Sequence, residues 1–179
     1  MKIFSDYHHD ALMRSVYYTF SERLAQQLAF PSHSFSSEVA GEIWGGFDHT
    51  NIPKTIGGID QEVWDELCYE VTYEEFMDTN WDVFLITRSE SVPIYKKLIS
   101  EKPQLNKVLR IGWSGNSDSQ FDWKFIKVLI ATDESTYRNA PRYVEKIHYV
   151  QELGKHYMEK PFVPLTEESL LTIHSYLPN

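Results

Sequence analysis

Cysteine, basic side chains and long apolar runs are all scarce in this 179-residue chain. The single cysteine, Cys68, excludes an intramolecular disulfide framework and suits a reducing compartment. Lys and Arg number 17 against 26 Asp and Glu, a formal net charge of −9. Proteins that grip a phosphate backbone need the opposite surface, because their affinity comes from displacing counterions. Nucleic acid is therefore not an expected partner. The longest apolar runs, such as Val83–Ile86 and Val128–Ala131, fall far short of the ~20 residues that span a bilayer, so no transmembrane segment is expected. Near the N-terminus, Asp6, His8, His9 and Asp10 stand where a secretion signal would carry apolar residues, and a cytoplasmic location is implied.

Glycine motifs are missing as well. No Gly-x-Gly-x-x-Gly follows the first strand pattern, no phosphate-binding loop occurs, and Gly112-Trp113-Ser114-Gly115 is one residue too short for a nucleophile elbow. What the chain does have is aromatic weight, 15% of residues, which serves either packing layers or stacking surfaces for sugars and bases.

Apolar periodicity supplies the fold. Lys2–Ser5 is β-compatible. Leu12, Val16, Phe20, Leu24 and Leu28 then recur every four residues, which predicts a long helix begun at Asp10 and ended by Pro31 and the serines of 32–37. Residues 32–62 read as an irregular excursion, with one short strand around 42–44. Cys68 falls on a helix or turn. Thr72-Tyr73-Glu74-Glu75 has the form of a capping box and predicts a short helix over 73–78. Residues 81–87, 107–113, 127–132 and 145–150 read as strands. A helix begins with Ser91 as cap and Pro93 in its first turn, and 133–139 form a helical turn. Strands alternating with helices predict an α/β domain with a mainly parallel sheet flanked by helices. Its ligands should gather at the carboxyl ends of the strands. Five segments are thereby placed along one edge: residues 6–10, 88–91, 113–119, 132–135 and 151–152.

Each of these carries a functional and a plainer reading. In Ser5-Asp6-Tyr7-His8-His9-Asp10, an imidazole oriented by a carboxylate is a natural general base, whereas the plainer reading is a helix cap with one histidine bonded in the loop. Arg88, Ser89 and Glu90 make either an anion- or hydroxyl-binding corner or a cap beside a surface arginine. Gln151 and Glu152 offer paired hydrogen bonding to hydroxyls, or are mere surface. Asp6-x-His8 also resembles the opening motif of metallophosphoesterases, but the nearest later counterpart, Gly115-Asn116-Ser117-Asp118, has Ser117 where that family has a ligating histidine.

Taken together, the opening strand with Ser5-Asp6-Tyr7-His8-His9-Asp10-Ala11-Leu12, the helix through Glu22-Arg23-Leu24, and the segments at 81–86, 110–116 and 148–153 resemble the N-terminal domain of bacterial glycosyltransferases of the GT-B fold. Ala25 departs from the glycine common in that family after Arg-Leu. The resemblance implies a single Rossmann-like domain over 1–153, one half of a GT-B architecture, with 154–179 an extension or the start of a linker. It implies binding of a carbohydrate or other hydroxyl acceptor, while a nucleotide-diphospho-sugar donor would sit on a second domain. No cofactor or metal is expected on this chain. His8 or His9 would act as base or acceptor orienter, Asp10 would hold the imidazole, and Asp6, Arg88, Ser89, Glu90, Trp113, Asn116, Gln151 and Glu152 would line the acceptor groove. Because the chain stops at Asn179, where the donor domain would begin, it is expected to be inactive alone. The other readings are a non-catalytic Rossmann-like interaction module and, less favoured, a metal-dependent phosphoesterase.

Overall fold

The structure, a computed structural model, describes residues 1–6, 27–44, 61–114 and 121–148. They form seven strands: β1 (Lys2–Ser5), β2 (Gln27–Pro31), β3 (Cys68–Val71), β4 (Val83–Ile86), β5 (Leu109–Ser114), β6 (Val128–Ala131) and β7 (Glu145–His148). All neighbouring pairs are parallel, in the order β3-β2-β1-β4-β5-β6-β7. Around them lie the helices α1 (His33–Val39), α2 (Gln61–Leu67), α3 (Tyr73–Asp78), α4 (Val92–Glu101) and α5 (Glu134–Asn139). The chain is thus a Rossmann-like α/β domain with a parallel sheet flanked by helices. None of the described helices is long and apolar enough to cross a membrane.

Parallel strands need cover on both faces, which is why Val83–Ile86 is apolar at every position and buried throughout. Side chains alternate across the sheet. Ile3, Leu28, Val83, Leu85, Ile111 and Trp113 form one core layer, while Phe4, Ala29, Phe84 and Ile86 join the other. Phe4 is the hub of that second layer, with the rings of Phe76, Trp81, Trp44, Phe35, Tyr95 and Phe84 at centroid distances from 4.6 to 6.3 Å. Among the described residues, most of the aromatic weight is packing.

Three expectations are corrected. The four-residue spacing that ran to Leu28 does not keep that residue on a helix, for 27–31 is strand β2, with Leu28, Ala29 and Phe30 all fully buried. The described parts of the 32–62 excursion are regular. Ser32 caps α1 by accepting the Phe35 N–H at 3.2 Å, 41–44 is a 3-10 turn rather than a strand, and α2 starts at Gln61. Cys68 opens the edge strand β3 and is buried.

The capping box is present as expected. Thr72 Oγ1 accepts the Glu75 N–H at 3.2 Å, and Glu75 Oε2 accepts the Thr72 N–H at 2.8 Å. Thr72→Ala removes one of those bonds and should lower stability by about 1 kcal/mol in urea unfolding, with an unchanged m-value.

Candidate functional site

Strand order sets the place to look. From β1 the chain builds outward to β2 and β3, then returns to the other side of β1 to begin β4. The sheet therefore grows in opposite directions from β1 and β4, which makes their carboxyl ends the switch point of an open parallel sheet, where such folds collect ligands. Asp6 leaves β1 at this point and Thr87 leaves β4 beside it. The Thr87 backbone N–H donates to Asp6 Oδ1 at 2.6 Å, closing the top of the β1–β4 pair.

Asp6 is fully buried. Burial pushes its carboxyl up to about 6, opposed by the nearby polar groups of Ser91 and Thr87, which favour the charge. The Thr87 hydroxyl falls short of good hydrogen-bond geometry, and Thr87 Oγ1 and Asp6 Oδ2 both remain without a partner. Tyr95 of α4 stands on the same side. Burial, and then the Asp6 charge, push its phenol well above the ordinary range, and its hydroxyl is likewise unpartnered. From the 3-10 turn at 41–44, the buried Trp44 Nε1 donates to Ser91 Oγ at 3.1 Å.

The carboxylate at the exit of β6 behaves differently. Burial of Asp133 works against its charge, but hydrogen bonds led by the Thr136 N–H, which it accepts at 2.7 Å, outweigh this and hold the carboxyl below its usual range. Asp133 is a satisfied cap of α5. Asp6 has a free oxygen, an elevated proton affinity and a position at the switch point, the combination that marks a working group.

The residues nominated from sequence divide into three groups. Asp6 lies at the switch point, directly after β1. Arg88, Ser89 and Glu90 follow the exit of β4, where Arg88 Nη1 donates to the Ile43 carbonyl at 3.0 Å and its Nε lies 3.9 Å from Glu90, so the guanidinium straps the 41–44 turn to the exit of β4. Ser89 Oγ donates to Glu90 at 3.1 Å. Trp113 is on β5, with its ring fully buried in the core layer of Ile3 and Leu85, where it packs instead of lining a groove. His8, His9, Asp10, Asn116, Gln151 and Glu152 lie outside the described residues. Ser91 does stand at the N-cap position of α4, with Pro93 in the first turn, but it does not cap the helix through its side chain. The 3-10 turn Ser89–Ser91 runs straight into α4, Ser91 has helical dihedrals, and its side chain makes no cap bond. Sequence reasoning missed Trp44, Thr87 and Tyr95. Of these only Thr87 carried a signal, as the first polar residue after the apolar run of β4.

A buried carboxylate with an affinity near working pH is ionised at pH 7 and can only accept hydrogen bonds. Its free oxygen is suited to a hydroxyl, which it can orient or relieve of a proton. Among the described residues, no three His, Cys, Asp or Glu side chains gather in a set that could hold a metal ion. Comparison of the chain with protein-family models, with curated proteins and with solved structures finds no match in any of the three.

Proposed function

We propose that this chain is the acceptor-binding half of a nucleotide-sugar-dependent glycosyltransferase, with the acceptor hydroxyl received at the β1–β4 switch point. One observation carries the reading. Among the described residues, four buried atoms without a partner, Ser5 Oγ, Asp6 Oδ2, Thr87 Oγ1 and Tyr95 OH, belong to the exits of β1 and β4 and to α4 beside Asp6, while Thr136 Oγ1 on α5 lies apart from them. Folded proteins rarely leave such groups unmatched, and a ligand rich in hydroxyls supplies both donors and acceptors to match them. His8, His9 and Asp10 follow Asp6 within four residues of sequence and are assigned to base and orienting roles. The nucleotide-diphospho-sugar donor belongs to a facing second domain.

Titrating the 15N-labelled chain with a panel of neutral mono- and disaccharides tests this. Weak binding is expected, about millimolar, or about −4 kcal/mol. The amide shifts should centre on Ser5, Asp6, Thr87, Arg88 and Ser91. Shifts confined to the β7 side of the sheet, or none with any sugar, would remove the acceptor reading.

One observation favours the interaction module instead. Tyr143 is 70% exposed and Ile147, on the edge strand β7, is 48% exposed, on the far side of the sheet from Asp6.

A further inference from the structure

The charge of the ligand follows from what surrounds the Asp6 carboxylate. Among the described residues, Oδ1 accepts the Thr87 N–H at 2.6 Å, Oδ2 is buried without a partner, and Asp6 enters no ion pair. Arg88, the cation next to Thr87, is turned to the Ile43 carbonyl and to Glu90 instead. Asp6 is fully buried, and carboxylates in that position ordinarily have a positive partner, because its attraction offsets the cost of leaving water. Oδ2 is therefore the atom at which a positive group on a ligand gains most. A ligand hydroxyl would give it one neutral hydrogen bond. A ligand carboxylate or phosphate would be repelled, and the net charge of −9 adds to that repulsion. An ammonium gives a charge-assisted bond, roughly twice as strong as a neutral one, and has two further N–H donors.

We propose that the site at the β1–β4 exits selects an amino sugar, or a polyol with the same amino-alcohol pattern, whose ammonium pairs with Asp6 Oδ2 while its hydroxyls meet Thr87 and Tyr95. The proposal rests on the reading of this site as the acceptor site, and it adds the charge that the acceptor carries. The donor and acceptor pattern supports it. An ionised carboxylate only accepts hydrogen bonds, whereas the Thr87 and Tyr95 hydroxyls, both buried and unpartnered, accept and donate. Burial and the Asp6 charge keep the Tyr95 phenol protonated, so its hydrogen is available to donate. The matching ligand has a group that only donates beside groups that do both, which is an ammonium next to hydroxyls. In a dry site, each of these bonds counts for more than it would in water. A neutral sugar meets Oδ2 with a hydroxyl instead, and binds more weakly.

The test compares glucose, glucosamine and N-acetylglucosamine on the 15N-labelled intact chain at pH 7 and constant ionic strength, read at the amides of residues 5–6 and 87–91. Glucosamine should bind about tenfold more tightly than glucose. N-acetylglucosamine keeps the nitrogen but loses its charge, and should fall back to the level of glucose or below. Methylammonium chloride at the same concentration should leave these amides unmoved, since it brings no hydroxyl for Thr87 or Tyr95. Asp6→Asn keeps the shape of the side chain without its charge, and should bring the ratio of glucosamine to glucose affinity to about one. The proposal is overturned by a wild type that binds the two sugars equally, or by a preference that survives in Asp6→Asn. It is also overturned if N-acetylglucosamine matches glucosamine, or if methylammonium alone produces the same shifts. Should Asp6→Asn not fold, the three sugars on wild type decide alone. Equal binding of glucose and glucosamine would sink the amino-sugar proposal and leave the acceptor reading standing, whereas the acceptor reading fails when no sugar, charged or neutral, moves these amides.

Discussion

Asp6→Asn should melt higher than the wild type at pH 7.5, and lose that advantage below pH 4. Folding raises the Asp6 pKa from 3.8 to about 6, so the folded state binds the proton more tightly than the unfolded state does. The contribution of this group to stability is therefore fully present below about pH 4. It falls as the pH climbs through 6, and above that the ionised carboxylate burdens the fold. A shift of about two pH units corresponds to about 3 kcal/mol. The Asn side chain keeps an oxygen for the Thr87 N–H and carries no charge to bury. For a domain of this size, the gain should appear as a rise of about 6–10 °C in Tm. Thermal unfolding of both proteins from pH 3.5 to 8 checks this. Parallel curves across that range, or a less stable Asn variant at pH 7.5, would show that Asp6 does not carry a buried charge. A carboxylate kept where an amide would be more stable is the mark of a functional constraint.

The second large effect has the opposite sign. Phe4→Ala should destabilise the domain by about 3–5 kcal/mol, a large share of the ~5–15 kcal/mol available to a folded domain. Phe4 is fully buried, with six aromatic rings around it from α1, the 41–44 turn, α3, β4, α4 and the approach to β4. Truncation opens a cavity that stiff rings cannot close, and it also removes edge-to-face contacts such as that with Phe76 at 4.6 Å. The midpoint of urea unfolding should fall sharply. A loss below about 1 kcal/mol would mean that the aromatic layer is loosely packed. Phe4 stands two residues before Asp6, on the same side of the sheet, so its ring also supports the strand end that presents the carboxylate.

The parallel α/β fold was legible because its central strands carry an unambiguous pattern. Val83–Ile86 and Val128–Ala131 are short apolar runs, each followed by a polar turn and a helix signal. The left-hand part of the sheet was not legible in the same way. A spacing of four fits both a helix turn and an even number of strand steps, so Leu28 could extend the pattern of Leu24 while belonging to β2. The unbroken run Leu28-Ala29-Phe30 before Pro31 was the better guide, since a strand buried on both faces does not alternate. Cys68–Val71 gave no signal because an edge strand tolerates polar positions such as Glu70.

The candidate site was half legible for a related reason. Local sequence can place Asp6 at a strand exit and Thr87 at another. It cannot show that Asp6 becomes fully buried, with Tyr95 from a distant part of the chain beside it. That burial turns an ordinary loop aspartate into a group that titrates near 6. The Ser91-Val92-Pro93 pattern marks the start of α4, but the preceding 3-10 turn gives Ser91 helical dihedrals, and its hydroxyl accepts from Trp44 instead of capping the helix.

The most direct measurement is the sugar titration repeated on wild type and Asp6→Asn at pH 7.5, read by amide shifts at residues 5–6 and 87–91. Wild type should show saturable shifts centred on the β1–β4 exits, and the more stable Asn variant should bind the same sugar at least about tenfold more weakly, a loss of about 1.4 kcal/mol. Equal binding by the two proteins, or shifts remote from Asp6 in both, would contradict a functional site built on that carboxylate.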